Sequence, residues 1–204
     1  MNPNDEPPIQ KSGHSCLIAL ALTAVVIAVS VALINSDLKE GVRHFERKKA
    51  ERRTESFEKV KAGDDGNGII VFQDPRLIEM LAGDDDCIKN LKRLNLSSVD
   101  LNGPQTASAG KLVNVNKIAF YDCVGPEELL KAMKGSPSVE ELSFDTTLVS
   151  DDGVRMLATF PNLKKVYFSY VNEQSREKLL RETLPGVEIE IEELGKGPEA
   201  LDAR

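Results

Sequence analysis

Tryptophan is absent from this chain of 204 residues, histidine occurs twice, cysteine three times, and aromatic side chains make up only 5%. Three cysteines are too few for a disulfide-framed mini-protein of this length, and no Cys pair stands at metal-ligand spacing. Both histidines, His14 and His44, lie ahead of the region whose pattern suggests a packed domain, which removes most imidazole acid/base and metal chemistry from it. No Gly-rich phosphate loop and no nucleophile elbow occurs. The composition therefore implies no catalysis, no cofactor and no metal. What remains, 41% hydrophobic and 29% charged residues, is ordinary for a chain that folds.

One apolar run stands out. Between Cys16 and Ile34 only Thr23 and Ser30 interrupt it, and no charge occurs between Lys11 and Asp37. At about 1.5 Å per residue such a run reaches roughly 28 Å, close to a bilayer core. The expectation is a transmembrane helix over 16–35, behind a polar tail over 1–15. Lys39, Arg43, Arg47, Lys48, Lys49, Arg52 and Arg53 follow it, so the basic-flank rule places the C-terminal part in the cytoplasm of a single-pass membrane protein. Ser30-Val31-Ala32 also offers small residues where a secretory signal could be cleaved, which would make the remainder an exported domain.

Charge is uneven along the chain. Residues 37–61 carry net +3 and residues 62–204 net −9, within an overall −7. The stretch 36–65 reads as a charged helical stalk and hinge whose basic side chains, with the apolar run 16–35, would meet membrane lipids. An acidic domain beyond it is a poor partner for nucleic acid, so none is expected. Leu38, Val42 and Phe45 begin a heptad that Lys49 and Arg52 do not continue, which argues against a coiled coil. Gly63-Asp64-Asp65-Gly66-Asn67-Gly68 lacks the closing Glu of a calcium loop and reads as a hinge.

Over 66–194 the residues repeat with a step of 24. Leu91, Leu94 and Leu96 are followed by Val115, Ile118 and Phe120, by Val139, Leu142 and Phe144, and by Leu163, Val166 and Phe168. Pro137, Pro161 and Pro185 keep the same step, and Asn90, Asn114 and Asn162 each precede the first apolar residue. Stepping back from Leu91 reaches Asn67, Ile70 and Phe72; stepping forward from Leu163 requires a one-residue slip to Val187, Ile189 and Ile191. Each short strand pairs with its neighbours in parallel, and the return segments bury the apolar side, so no single unit is stable alone. Helical returns are expected at Pro75–Leu81, Pro126–Met133, Asp151–Phe160 and Glu173–Thr183, with an irregular loop over 102–111 and a tail over 195–204.

These residues resemble the leucine-rich repeat family, whose unit is L-x-x-L-x-L-x-x-N/C. Cys123 occupies the N/C column, and Val149-Ser150-Asp151-Asp152-Gly153-Val154-Arg155-Met156-Leu157 is similar to a return helix of its cysteine-containing and bacterial repeats. The resemblance implies an α/β leucine-rich repeat solenoid with a parallel sheet on its concave face, and recognition of a protein partner by that face. Side chains lying between the apolar triplet positions would face the partner. Among them Arg93, Lys117, Tyr121, Lys165 and Tyr167, with Tyr170 at the edge, form the candidate binding patch, because tyrosine and arginine are common interface anchors. Ile69, Val71 and Gln73 would open the same face. An architectural subunit of a membrane complex is the remaining possibility. Asp84, Asp85 and Asp86 read as a solvent-facing turn, and Cys87 and Cys123 as buried thiols.

Overall fold

The computed structural model describes the backbone of residues 13–169 and 174–192, and the side chains of Ser36, residues 38–169 and residues 177–192. Two units divide the chain, Met1–Lys48 and Lys49–Arg204. Helix α1 (Gly13–Lys61) starts in the first, and its last residues, from Lys49 on, belong to the second. In the first unit half of the described residues are charged, and Leu38, Val42 and Phe45 are exposed.

This corrects the expected topology. The apolar run and the charged stalk form one helix of 49 residues, and among the described residues no helix is long and apolar enough to cross a membrane. The span expected over 16–35 has its side chains outside the described residues. Neither the single-pass assignment nor the cytoplasmic placement that depended on it is retained. The physical reason lies in the half of α1 that is described, where charged residues recur on every turn from Lys39 to Lys61.

The second unit is α/β. Six strands, β1 (Ile70–Phe72), β2 (Arg93–Ser97), β3 (Lys117–Tyr121), β4 (Glu141–Asp145), β5 (Lys165–Ser169) and β6 (Glu188–Glu192), form one parallel sheet in chain order. Parallel neighbours require crossovers, and here they are supplied by α2 (Arg76–Ala82), α3 (Asp85–Asn90), a 3-10 helix (Pro104–Lys111), α4 (Pro126–Ala132), α5 (Asp151–Leu157) and α6 (Gln174–Thr183). The crossovers are dissimilar. Two helices fill the first, a 3-10 helix with buried Thr106 and Ala109 fills the second, where an irregular loop was expected, and single helices fill the next three.

The register is uneven as well. Paired residues are 24 apart from β2 to β5, but β1 to β2 steps by 25 (Ile70 opposite Asn95) and β5 to β6 by 23 (Val166 opposite Ile189). The expected leucine-rich repeat solenoid is therefore replaced by a six-stranded parallel α/β sheet with, among the described residues, seven helices, and only part of the sheet keeps one step. The slip at β1 has a direct cost for the face assigned from sequence. Ile69 and Val71, expected to face outward, are buried at 5% and 1% exposure, while Ile70 and Phe72 stand at 52% and 39%. Side chains alternate along a strand, so a shift of one residue exchanges the two faces.

The inward positions make the core. Leu94, Ile118, Leu142 and Val166 form one row and Leu96, Phe120, Phe144 and Phe168 the next, closed by Leu77, Leu81, Leu129, Leu157 and Leu180 from the helices. The Phe120 and Phe144 rings stack with centroids 4.9 Å apart and planes 3° from parallel, and Phe144 and Phe168 stack at 4.9 Å and 14°. That spacing is the distance between hydrogen-bonded strands, so strict pairing register delivers the stack. The asparagines singled out by their spacing knit turn to turn: Nδ2 of Asn90, Asn114 and Asn162 donates to the carbonyls of Val60, Ile88 and Pro137 at 3.0, 3.1 and 2.7 Å. Ile88 and Pro137 thereby gain a partner for their carbonyls, and Val60, in α1, accepts a second bond besides that from the Gly63 amide at 3.0 Å.

After each of the first four strands the chain turns through one residue at positive φ: Gln73 (52°), Ser98 (51°), Asp122 (53°) and Thr146 (48°). Of these only Thr146 is β-branched, and it is exposed. A β-branched residue held there is strained by about 1–3 kcal/mol, and asparagine tolerates that region far better. Thr146→Asn is therefore expected to stabilise the fold by about 1 kcal/mol, raising the thermal midpoint by about 2–4 °C. Differential scanning calorimetry checks it, and an unchanged or lower midpoint would count against the strain.

Candidate functional site

The face of the sheet opposite the core carries the side chains that alternate with the buried rows. Arg93, Lys117, Glu141, Lys165 and Glu188 lie in one row across the strands. Ile70, Asn95, Ala119, Ser143, Tyr167 and Glu190 form the second, and Phe72, Ser97, Tyr121 and Asp145 start the third. A shallow depression of about 420 Å3 runs over this face, and Arg93, Lys117, Tyr121, Lys165 and Tyr167 all line it. Five of the six residues expected to bind a partner are thus brought onto one surface. The sixth, Tyr170, lies outside the described residues.

The local chain explains the placement of Arg93. The carboxylate Oδ1 atoms of Asp64 and Asp65 accept from the amides of Gly66 and Asn67, each at 2.8 Å, closing two tight turns in the segment read as a hinge. Gly66 sits at φ +85°, and a Cβ there would lie 2.3 Å from the Arg93 carbonyl oxygen, so only glycine lets this loop approach β2. The Asp65 carbonyl accepts from both Lys92 and Arg93 amides at 2.9 Å, which anchors the start of the strand. Asn67 then accepts from Arg93 Nη1 at 2.6 Å.

Most cations of the face are neutralised within it. Lys117 Nζ stands 2.6 Å from Glu141 Oε2. Lys165 Nζ reaches Glu190 at 2.6 Å and Glu188 at 3.2 Å. The Glu190 hydrogen bond is the main reason the Lys165 ammonium is held above its usual range; the same contact holds the Glu190 carboxyl below its own. Tyr167 donates its hydroxyl to Glu192, and Ser169 donates to Asp145. Tyr121, by contrast, is 40% exposed. The pairings across strands were invisible in the sequence, because each joins residues 23 to 25 positions apart whose meeting depends on register. Sequence reasoning also missed Ile70 and Phe72 on this face, although the one-residue slip it required at the other end of the sheet was a signal that the step is not constant.

Elsewhere, the acidic triplet serves the fold. Asp84 caps α3: its carboxylate accepts from the Cys87 amide at 3.0 Å and from Lys61 Nζ at 2.7 Å. Cys87 and Cys123 are free, buried thiols. Burial, with Asp84 nearby, pushes the Cys87 thiol up to about 12, and burial raises Cys123 too. Neither supplies a thiolate nucleophile near neutral pH. No protein family, curated protein or solved structure matches this chain.

Proposed function

We propose that this chain is a non-catalytic protein-binding module that recognises its partner with the open face of the parallel sheet. One observation carries the reading: Arg93, Lys117, Tyr121, Lys165 and Tyr167, from three strands, line a single shallow depression beside exposed Ile70 and Phe72. Exposed aromatic and aliphatic area among fixed charges is the make-up of an interface core with a polar rim. The depression is broad and open to solvent, and the two described thiols are protonated and buried away from it, which favours binding over chemistry.

Crosslinking through lysine followed by mass spectrometry tests it with the full chain. Lys117 and Lys165 should crosslink to a partner, and Tyr121→Ala with Tyr167→Ala should lower recovery of that crosslink by about tenfold or more, the effect of losing central interface anchors. An unchanged crosslink pattern in a folded double variant would overturn the reading.

A further inference from the structure

Charge divides the open face into two halves. At their outward strand positions β1–β3 present two cations, Arg93 and Lys117, and no carboxylate; β4–β6 present Glu141, Asp145, Glu188, Glu190 and Glu192 against Lys165 alone. Lys117 is discharged across the boundary by Glu141. Arg93 is different. Its Nη1 donates to the neutral amide of Asn67, and among the described residues no carboxylate pairs with it. An amide orients a guanidinium without cancelling its charge, and the planar fork has five N–H donors, so further donors stay open to a carboxylate. On the same strands Ile70 lies in the next row from this pre-oriented cation and Phe72 and Tyr121 in the row after, about 13 Å along the strands. They are exposed at 52%, 39% and 40%, and the Arg52 guanidinium lies 6.0 Å from the Phe72 ring centre. Phe72 and Tyr121 flank Ser97 in a single register row, and Ile70 pairs with Asn95 two residues beyond Arg93.

We propose that the β1–β3 half of this face binds an extended protein segment carrying a carboxylate about two to four residues from an aromatic or branched aliphatic side chain. The carboxylate meets Arg93 and the apolar side chain covers Ile70, Phe72 and Tyr121. The acidic β4–β6 half repels such a segment, which fixes where it lies and which way it runs. A nucleic acid does not fit the same surface: the strands present three cations, two of them paired with carboxylates, beside five carboxylates, which cannot follow a phosphate backbone. The proposal rests on the protein-binding reading above and specifies the half used and the chemistry of the partner.

The probe is a random-peptide phage library panned on the immobilised full-length chain, with enriched sequences resynthesised for titration. Enriched peptides should carry Asp or Glu about two to four residues from Leu, Ile, Phe, Tyr or Trp. Their affinity should fall about tenfold or more in Arg93→Glu and in Tyr121→Ala, the scale of losing a charge partner or an anchor at an interface. It should be unchanged in Lys131→Ala, which alters an exposed cation on helix α4. Near-ultraviolet circular dichroism confirms that the variants fold, and Arg93→Ala, with a smaller loss than Arg93→Glu, separates loss of attraction from added repulsion. Enrichment of basic peptides that depend on Glu190 instead of Arg93 would overturn the inference and leave the protein-binding reading standing. No enrichment, or enrichment indifferent to Tyr121 and Tyr167, would overturn both.

Discussion

Replacing Phe144 with alanine should cost about 3–5 kcal/mol, the range for removing a buried aromatic ring, and should leave much of the chain unfolded at physiological temperature. The ring is fully buried and sits between Phe120 and Phe168, so the truncation opens a cavity in the middle of the row and breaks both stacks. Each stacked pair adds about 0.5–1.5 kcal/mol to the burial of its area. Nearly parallel planes with centroids 4.9 Å apart fall within the range of favourable aromatic pairs. Phe144→Leu keeps most of the volume and is expected to cost much less, about 1.5 kcal/mol. Urea unfolding followed by Tyr fluorescence measures both, and equal losses in the two variants would show that the lost ring stack, not the cavity, carries the cost. Phe120→Ala combined with Phe144→Ala should cost less than the sum of the single changes, because the two share one contact.

The second large effect is expected at Asp74. Its carboxylate is 4% exposed and meets Arg53 Nη1 at 2.6 Å, Arg76 Nε at 2.8 Å and the Arg76 amide at 3.2 Å. One acid thus joins the end of α1 that lies in the second unit to the start of α2. Asp74→Ala strands Arg53, whose Nε is already buried without a partner, and should cost about 3–5 kcal/mol, as breaking a buried pair from one side does. Arg76→Ala removes a half-exposed partner and should cost about 1 kcal/mol or less.

The same group sets a dependence on acid. Burial is the strongest single influence on Asp74 and raises its proton affinity, yet the Arg76 hydrogen bonds and the charges of Arg53 and Arg76 outweigh it, so the carboxyl lies below the usual aspartate range. A carboxyl depressed in the folded state adds stability above the unfolded value, about 3.9, and that stability drains away as the pH falls through the lower folded value. The stability gap between the native chain and Asp74→Asn should therefore be full near neutrality and close below about pH 4. Chemical unfolding at a series of pH values checks this; a gap that persists undiminished in acid would place the stabilisation outside the ion pair.

How much was legible in advance can be traced residue by residue. The buried rows Leu94 to Val166 and Leu96 to Phe168 followed from a local alternation repeated at a constant step, as did the outward direction of Arg93, Lys117, Tyr121, Lys165 and Tyr167, whereas for Asn90, Asn114 and Asn162 only the spacing was legible and their bonds across turns were not. The step failed at the two edges of the sheet, where the neighbouring strand exists on one side only and the crossover length is free to change. There Ile70 and Phe72 exchanged faces with Ile69 and Val71. The short helix α3 was hidden because Asp84 to Asp86 look like a solvated turn until the Cys87 amide and Lys61 are seen to use Asp84 as a cap. Within α1, an apolar run judged by itself suggested a membrane span, whereas one continuous helix joins it to the charged residues that follow.

By itself the sequence determined which side chains of β2 to β5 are withdrawn from water and that short strands recur, because alternation and repetition are properties of neighbouring residues along the chain. Only the tertiary structure decided which charges cancel, that Lys117 and Lys165 are discharged while Arg93 keeps its charge on a face that also exposes aromatic area, since those pairings join residues some two dozen positions apart and exist only in one register. Electrostatic energy depends steeply on separation, and separation across a sheet is written in the fold.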